Sequence, residues 1–316
     1  MKQRDDAKPG HGRILEAWEP PDEAGEPLGC VATSFTFEPH FFEEECLARF
    51  LALETAPEDG AAYLIEREEK LAQLACAAVL VDQHHARGMR NLRWDLLAAR
   101  IPGAILHAKV ALLLWSRCAR LIVASANLTE TGYRRNHEVF GVLDYFEGSE
   151  APLSVLEDIV GFLRRAVAFT AADPANPGPA VSRWNIFLEE QVQKRCRRWG
   201  ARQPPRGLSK TRVFAVTTGP DRPNAFRQLD RIWPASSPPA EAFVVSPFFD
   251  PPGTPNRPAR ELWGLLRRRG SPTVQFEVTA EDVPGGGAAA NVAGANAQDA
   301  RFQLRVPDCR PQNALA

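Results

Sequence analysis

The chain has 316 residues, 44% of them apolar, and a formal net charge of −1 at pH 7. That length is about twice a typical domain and the apolar share can fill real cores, while a near-neutral charge excludes bulk attraction to nucleic acid or an anionic membrane and leaves only local patches for either. No apolar core for a signal peptide follows Met1, and no run approaches the roughly 18 apolar residues of a spanning helix, so a cytoplasmic location is expected.

Residues 1–28, rich in charge, Pro and Gly, are expected to form a poorly ordered arm. Residues 29–170 then read as an alternating α/β lobe. Val31 to Phe37 reads as a strand, and Phe41 to Leu53 as a helix with Phe42, Cys46 and Phe50 on one stripe. Further strands are predicted near 76–82, 105–115, 120–125 and 136–143. A helix from Leu153 to Phe169 turns Leu153, Leu156, Val160, Leu163 and Val167 inward. Residues 171–212 read as a Pro-rich linker followed by a basic helix, Ser182 to Trp199. Its stretch from Lys194 to Arg212 carries eight basic residues and no acid around Trp199, which suits either a solvated face or a surface that follows phosphates while the indole stacks a base. Residues 213–316 form the second lobe.

The six cysteines contain no Cys-x-x-Cys pair and sit mostly among apolar neighbours, which predicts reduced, buried thiols in place of a zinc site. His84 and His85 follow a strand-like run; adjacent side chains of an extended chain face opposite ways, which favours a solvated loop over a metal site.

The chemistry concentrates in two short segments, Leu106-His107-Ala108-Lys109-Val110 and Ala124-Ser125-Ala126-Asn127-Leu128-Thr129. Two residues apart on a strand, His107 and Lys109 should face one pocket. Attack on a phosphodiester needs a nucleophile, charge for the non-bridging oxygens and hydrogen bonds to fix the phosphate. His107 can attack and give a phosphohistidine, Lys109 can only donate, and Ser125 and Asn127 offer neutral donors, with no metal or cofactor required. Glu138, on the strand 136–143 with Asn136 and Phe140 on its face, can accept from the other ring nitrogen of His107 and orient it.

His-x-Lys followed by Ser-x-Asn, with Thr129-Glu130-Thr131-Gly132 and Arg134-Arg135-Asn136-His137-Glu138 after it, resembles the phospholipase D superfamily. Leu114 stands where that motif has Asp, Ala124 where it has Gly, and the Lys-to-Asn interval is longer; these departures look more like the tyrosyl-DNA phosphodiesterase branch. The resemblance implies a mixed sheet flanked by helices, a catalytic set of His107, Lys109, Asn127 and Glu138, and substrate contacts from Ser125, Thr129, Arg134 and Arg135. It implies a phosphodiester substrate, nucleic acid in preference to lipid because no amphipathic membrane segment is visible.

The second lobe carries an echo of the first. Ser246-Pro247-Phe248-Phe249-Asp250-Pro251, after the apolar run Ala242 to Val245, repeats the form of Ser34-Phe35-Thr36-Phe37-Glu38-Pro39. The family pairs two such lobes, one histidine attacking and the other protonating the leaving oxygen. All six histidines here precede Ser246, so the second lobe is expected to be incomplete, with a homodimer pairing two copies of His107 as one remedy and a phosphate-holding remnant as the rival function.

Overall fold

The computed structural model describes residues 13–87, 93–170, 178–200, 212–233, 239–246, 257–266, 273–278, 280–283, 287–290 and 302–305. The chain divides into two units, Met1–Ala215 and Val216–Ala316.

Unit one is built on a mixed six-stranded sheet of β1 (Pro27–Ser34), β2 (Cys76–Asp82), β3 (Asp95–Ala99), β4 (Val110–Trp115), β5 (Ala119–Ala124) and β6 (Phe140–Tyr145), in the order β3-β2-β1-β4-β5-β6. β1 to β3 run parallel and β4 to β6 form an antiparallel meander, joined where β1 pairs β4 with Ala32 opposite Ala111. The crossover from β1 to β2 holds the helical run 39–50 (α1) and Ala61–Ala72 (α2); Leu153–Val167 (α3) and the run 179–200 (α4) follow β6.

The central strand β4 is apolar at every position because both its faces are covered. Along β4, Leu112 and Leu114 pack with Leu156, Leu163, Trp184 and Leu188 of α3 and α4, while Ala111, Leu113 and Trp115 pack with Phe42, Cys46 and Phe50 of α1. β2 divides in the same way, Ala78 and Leu80 to one side and Val79 and Val81 to the other. The expected stripes on α1 and α3 are present; α3 also buries Val155, Ile159 and Ala166, while Leu153 is only partly buried.

Several expectations require correction. Of the arm, residues 13–28 are not loose: Ile14–Trp18 forms a 3-10 turn, Trp18 is wholly buried edge-on to Phe42 at 5.9 Å, and its Nε1 donates to Tyr133 Oη at 3.3 Å. A single apolar turn is too short to stand out in a charged, Pro-rich segment. The expected interlobe helix is α4, whose Val181, Trp184, Phe187, Leu188, Val192 and Cys196 complete the core of unit one. Within its basic stretch Arg197 pairs with Glu157 at 2.8 Å, Lys194 pairs with Glu190, and Trp199 is partly buried against that core. Arg202, Arg206 and Lys210 lie outside the described residues. Cys30, Cys46, Cys76, Cys118 and Cys196 are buried thiols; burial pushes Cys76, Cys118 and Cys196 up to about 12, and Cys309 lies outside the described residues.

Unit two contains Ala225–Ile232 (α5), Glu241–Ser246 (β7), Arg257–Leu266 (α6), Thr273–Val278 (β8), Ala280–Val283 (β9), Gly287–Ala290 (β10) and Phe302–Arg305 (β11). β7, β8 and β11 form a parallel sheet in the order β11-β8-β7, and β9 and β10 form a separate hairpin. The larger sheet has the neighbour order of β3-β2-β1, and Ser246 lies opposite Val278 as Ser34 lies opposite Val81. The remainder of the sequence echo, 247–251, lies outside the described residues. Among the described residues no helix is long and apolar enough to cross a membrane.

The 3-10 turn can be tested directly. Trp18→Ala is expected to cost about 3–5 kcal/mol, the range for emptying a buried Trp site, read as a lower urea midpoint at unchanged slope; an unchanged midpoint would mean that the turn is not part of the fold.

Candidate active site

The site residues gather at one edge of the six-stranded sheet, where β1, β2 and β5 end and β4 and β6 begin. His107 and Lys109 lie just before β4, and not on a strand beginning at 105 as expected. The cause is Thr33, whose buried hydroxyl donates to the carbonyl of Ala108 and accepts from the amide of Val110, both at 3.0 Å. A side chain here occupies backbone groups that a ladder would have used. Lys109 keeps one strand-like bond, its carbonyl accepting from Ala124 at 3.0 Å.

The two side chains do converge. Lys109 Nζ stands 3.1 Å from His107 Nδ1 and donates to the His107 carbonyl at 3.2 Å. His107 is exposed, but Lys109 is only 9% exposed, its stem beside Ala32, Val110, Ile122 and Tyr133. Desolvation pushes Lys109 down to about 8, partly offset by the charge of Glu138. Desolvation also lowers His107 below its usual range, helped by the neighbouring ammonium.

Asn127 is fixed by the chain leaving β1. Its Oδ1 accepts from the amides of Phe35 at 3.2 Å and Thr36 at 3.4 Å. Ser34 Oγ accepts from the amide of Leu128 at 2.9 Å and gives its single hydrogen to the Thr36 carbonyl at 2.6 Å, in preference to Asn127 Oδ1 at 3.4 Å. With the carboxamide oxygen occupied, the Nδ2 hydrogens of Asn127 are left for a ligand in an open cleft of about 480 Å³, shared with Thr36, His85, Arg87, Thr129 and Asn136.

The remaining expected residues are more engaged. Glu138 lies before β6, accepts from Ser125 Oγ and, at 3.1 Å, from Asn136 Nδ2, and makes no hydrogen bond to His107. Its position makes it an anchor for Ser125 and a counter-charge for Lys109, in place of the expected orienter of His107. Ser125 Oγ also accepts from the amide of Val139 at 2.9 Å, so it must leave Glu138 to reach a substrate. Thr129 Oγ1 accepts from the amide of Gly132 at 3.0 Å but still lines the cleft. Arg134 is paired with Glu45 at 2.6 Å and Arg135 with Glu130 at 3.3 Å, so neither is a spare cation. Arg87, which the sequence reading passed over, lines the cleft and pairs with no carboxylate among the described residues. Thr33, Ser34 and Phe35 were also missed; the signal for the first two was hydroxyl residues closing an apolar strand.

No family model matches the chain, and no curated protein matches it. Among solved structures, yeast tyrosyl-DNA phosphodiesterase is similar at 12% identity and a TM-score of 0.32, over 54% of this chain and 35% of that one. A histidine mutant of the same yeast enzyme is similar at 13% identity and 0.31, over 54% and 34%. The overlap spans about a third of the yeast chain.

The buried lysine costs stability. Its charge at pH 7 is held against a folded pKa of about 8 and an unfolded value near 10.5. Lys109→Met is therefore expected to raise stability at pH 7 by on the order of 1–3 kcal/mol, one pKa unit being about 1.4 kcal/mol before partial solvation is discounted. The unfolded state binds the extra proton between pH 8 and 10.5, so the wild type gains stability across that window and the variant's advantage should shrink there in thermal melts.

Proposed function

We propose that this protein is a phosphodiester hydrolase of the phospholipase D-like kind, acting on nucleic acid with His107 as nucleophile and without a metal. The observation that carries the reading is the joint placement of His107, Lys109 and a pre-oriented Asn127 on one sheet edge. They supply the nucleophile, the charge and the neutral donor that the reaction needs. Arg87, which pairs with no carboxylate among the described residues, supplies a further cation for a flanking phosphate in place of Arg134 and Arg135.

The resting hydrogen bonds give Lys109 a gating part. An ammonium donating to Nδ1 leaves the hydrogen of neutral His107 on Nε2, the tautomer in which Nε2 cannot attack. A bound phosphate oxygen competes for Nζ. Once Nζ turns to the phosphate, Nδ1 can carry the hydrogen and Nε2 presents its lone pair. Glu138, whose charge reaches Lys109, helps to keep Nζ protonated for that exchange. The lowered pKa of His107 keeps it neutral near pH 7.

The rival reading, a phosphate-holding module without turnover, is favoured by the single His-x-Lys and by the prior engagement of Ser125 with Glu138. Hydrolysis of bis-p-nitrophenyl phosphate in EDTA decides between them. Wild type should turn over and His107→Ala should fall to background; a folded wild type that binds phosphate but releases no nitrophenolate would establish the rival.

The pH profile of kcat/KM should be bell-shaped. The acid limb lies below 6.5, where His107 protonates and loses its lone pair, and the alkaline limb lies near 8, where Lys109 loses its charge. Lys109→Arg should change the alkaline limb, because a guanidinium stays charged throughout the range; an unmoved limb would assign it to another group, such as the group that protonates the leaving oxygen.

A further inference from the structure

The turn after β2 brings a second histidine to the same edge, and the residue that places it also places His107. Asp82, the last residue of β2, is buried, and its two carboxylate oxygens serve two segments. Oδ1 accepts from the amide of His84 at 3.0 Å, and Oδ2 accepts from the amide of Leu106 at 2.8 Å. The Asp82 carbonyl accepts from the amides of His85 at 2.9 Å and Ala86 at 3.0 Å. One aspartate thus ties the turn carrying His85 to the lead-in carrying His107, through charge-assisted bonds of the stronger kind.

Both imidazoles then meet the same ring. The Phe35 centroid is 4.5 Å from that of His85 and 4.8 Å from that of His107, and the amide of Phe35 is bonded to Asn127. His85 and Asn127 line one cleft. Neither ring nitrogen of His85 makes a hydrogen bond to any described residue. The amides of His84, His85 and Ala86 already donate to Asp82, so the His85 ring is not needed as an acceptor for them.

We propose that His85 is the proton donor to the leaving oxygen, so that both imidazoles of the reaction come from unit one. The proposal rests on the reading of His107 as nucleophile. In the first step His107 forms a P–N bond as the P–O bond to the leaving group breaks, and the proton of His85 passes to the departing oxygen. In the second, His85 takes a proton from the water that attacks phosphorus and the P–N bond breaks. His107 returns neutral and His85 protonated, with water added across the ester.

Bis-p-nitrophenyl phosphate and diphenyl phosphate separate this role from a structural one, because p-nitrophenolate departs unaided and phenolate departs poorly without a proton. In His85→Gln the first turnover of the nitrophenyl ester should survive within about tenfold as a burst, while that of diphenyl phosphate falls by about 10²–10⁴-fold, the usual worth of a general acid. Slow later turnovers should trap a phosphohistidine visible by mass, and added imidazole should restore part of the diphenyl phosphate rate in His85→Gly. Circular dichroism checks each fold, and His85→Asn, a residue suited to turns, replaces Gln where the turn is disturbed. Equal losses on both esters, or none on either, overturn the proposal. So does unchanged diphenyl phosphate turnover from a species with the mass of a dimer, which would make a second copy's His107 the acid. Turnover that survives His107→Ala, or a wild type inactive on both esters, is instead the failure of the phosphodiesterase reading.

Discussion

Two adjacent hydroxyls at the end of β1 hold the site together. Thr33 and Ser34 are both buried, and each acts as donor and acceptor toward a different segment. Thr33 binds Ala108 and Val110 and so sets the course of the chain carrying His107 and Lys109; Ser34 binds Thr36 and Leu128 and so sets the loop carrying Asn127. A ladder bond holds strands in register but leaves side chains at strand spacing. A side-chain hydroxyl can bind the chain on both sides of one residue, which frees the intervening backbone to turn its side chain toward a ligand. Buried hydroxyls are tolerated only when satisfied, so the same bonds that shape the site also stabilise the end of the strand.

Electrostatics at this edge follow from the same compression. Lys109 is drawn into the sheet with its stem on apolar surface, and the carboxylate whose charge reaches it, Glu138, is already occupied by Ser125 and Asn136. A direct ion pair would have stabilised the fold and cancelled the positive field. A lysine held close to a carboxylate but not bonded to it keeps charge available for an incoming anion, and the imidazole beside it stays neutral for the same reason. The stability lost at Lys109 and the phosphate binding proposed for it have one physical origin.

What could be read beforehand follows a clear division. Strands β2 and β4 were legible as short apolar runs buried on both faces and β5 as a short, mostly apolar run, and the motif was legible because His-x-Lys and Ser-x-Asn flank β4 and β5. The start of β4 was misplaced because Thr33, far away in sequence, intercepts its first residues. Glu138 was given to His107 on spacing alone, and only the pairing of Ser125 with Val139 shows that the carboxylate meets Ser125 first. The buried turn at Trp18 and the docking of α4 depend on what the other side of a core lacks, which local pattern does not carry.

His85 shows the same division at the level of function. On the chain it is one of two adjacent histidines after a strand, and extended geometry sends such a pair to opposite faces. The bend at Asp82 cancels that argument, since a turn pinned by four amides has no alternating faces. What then decides the matter is strand order: β2 lies next to β1, so the turn after β2 must open beside the residues that leave β1, and Phe35 is the first of these. Parallel neighbours bring their carboxyl ends together whatever their separation in sequence. The sheet of unit two runs β11-β8-β7 with Ser246 opposite Val278, the neighbour order of β3-β2-β1. The echo between the two described sheets is therefore one of strand order and register.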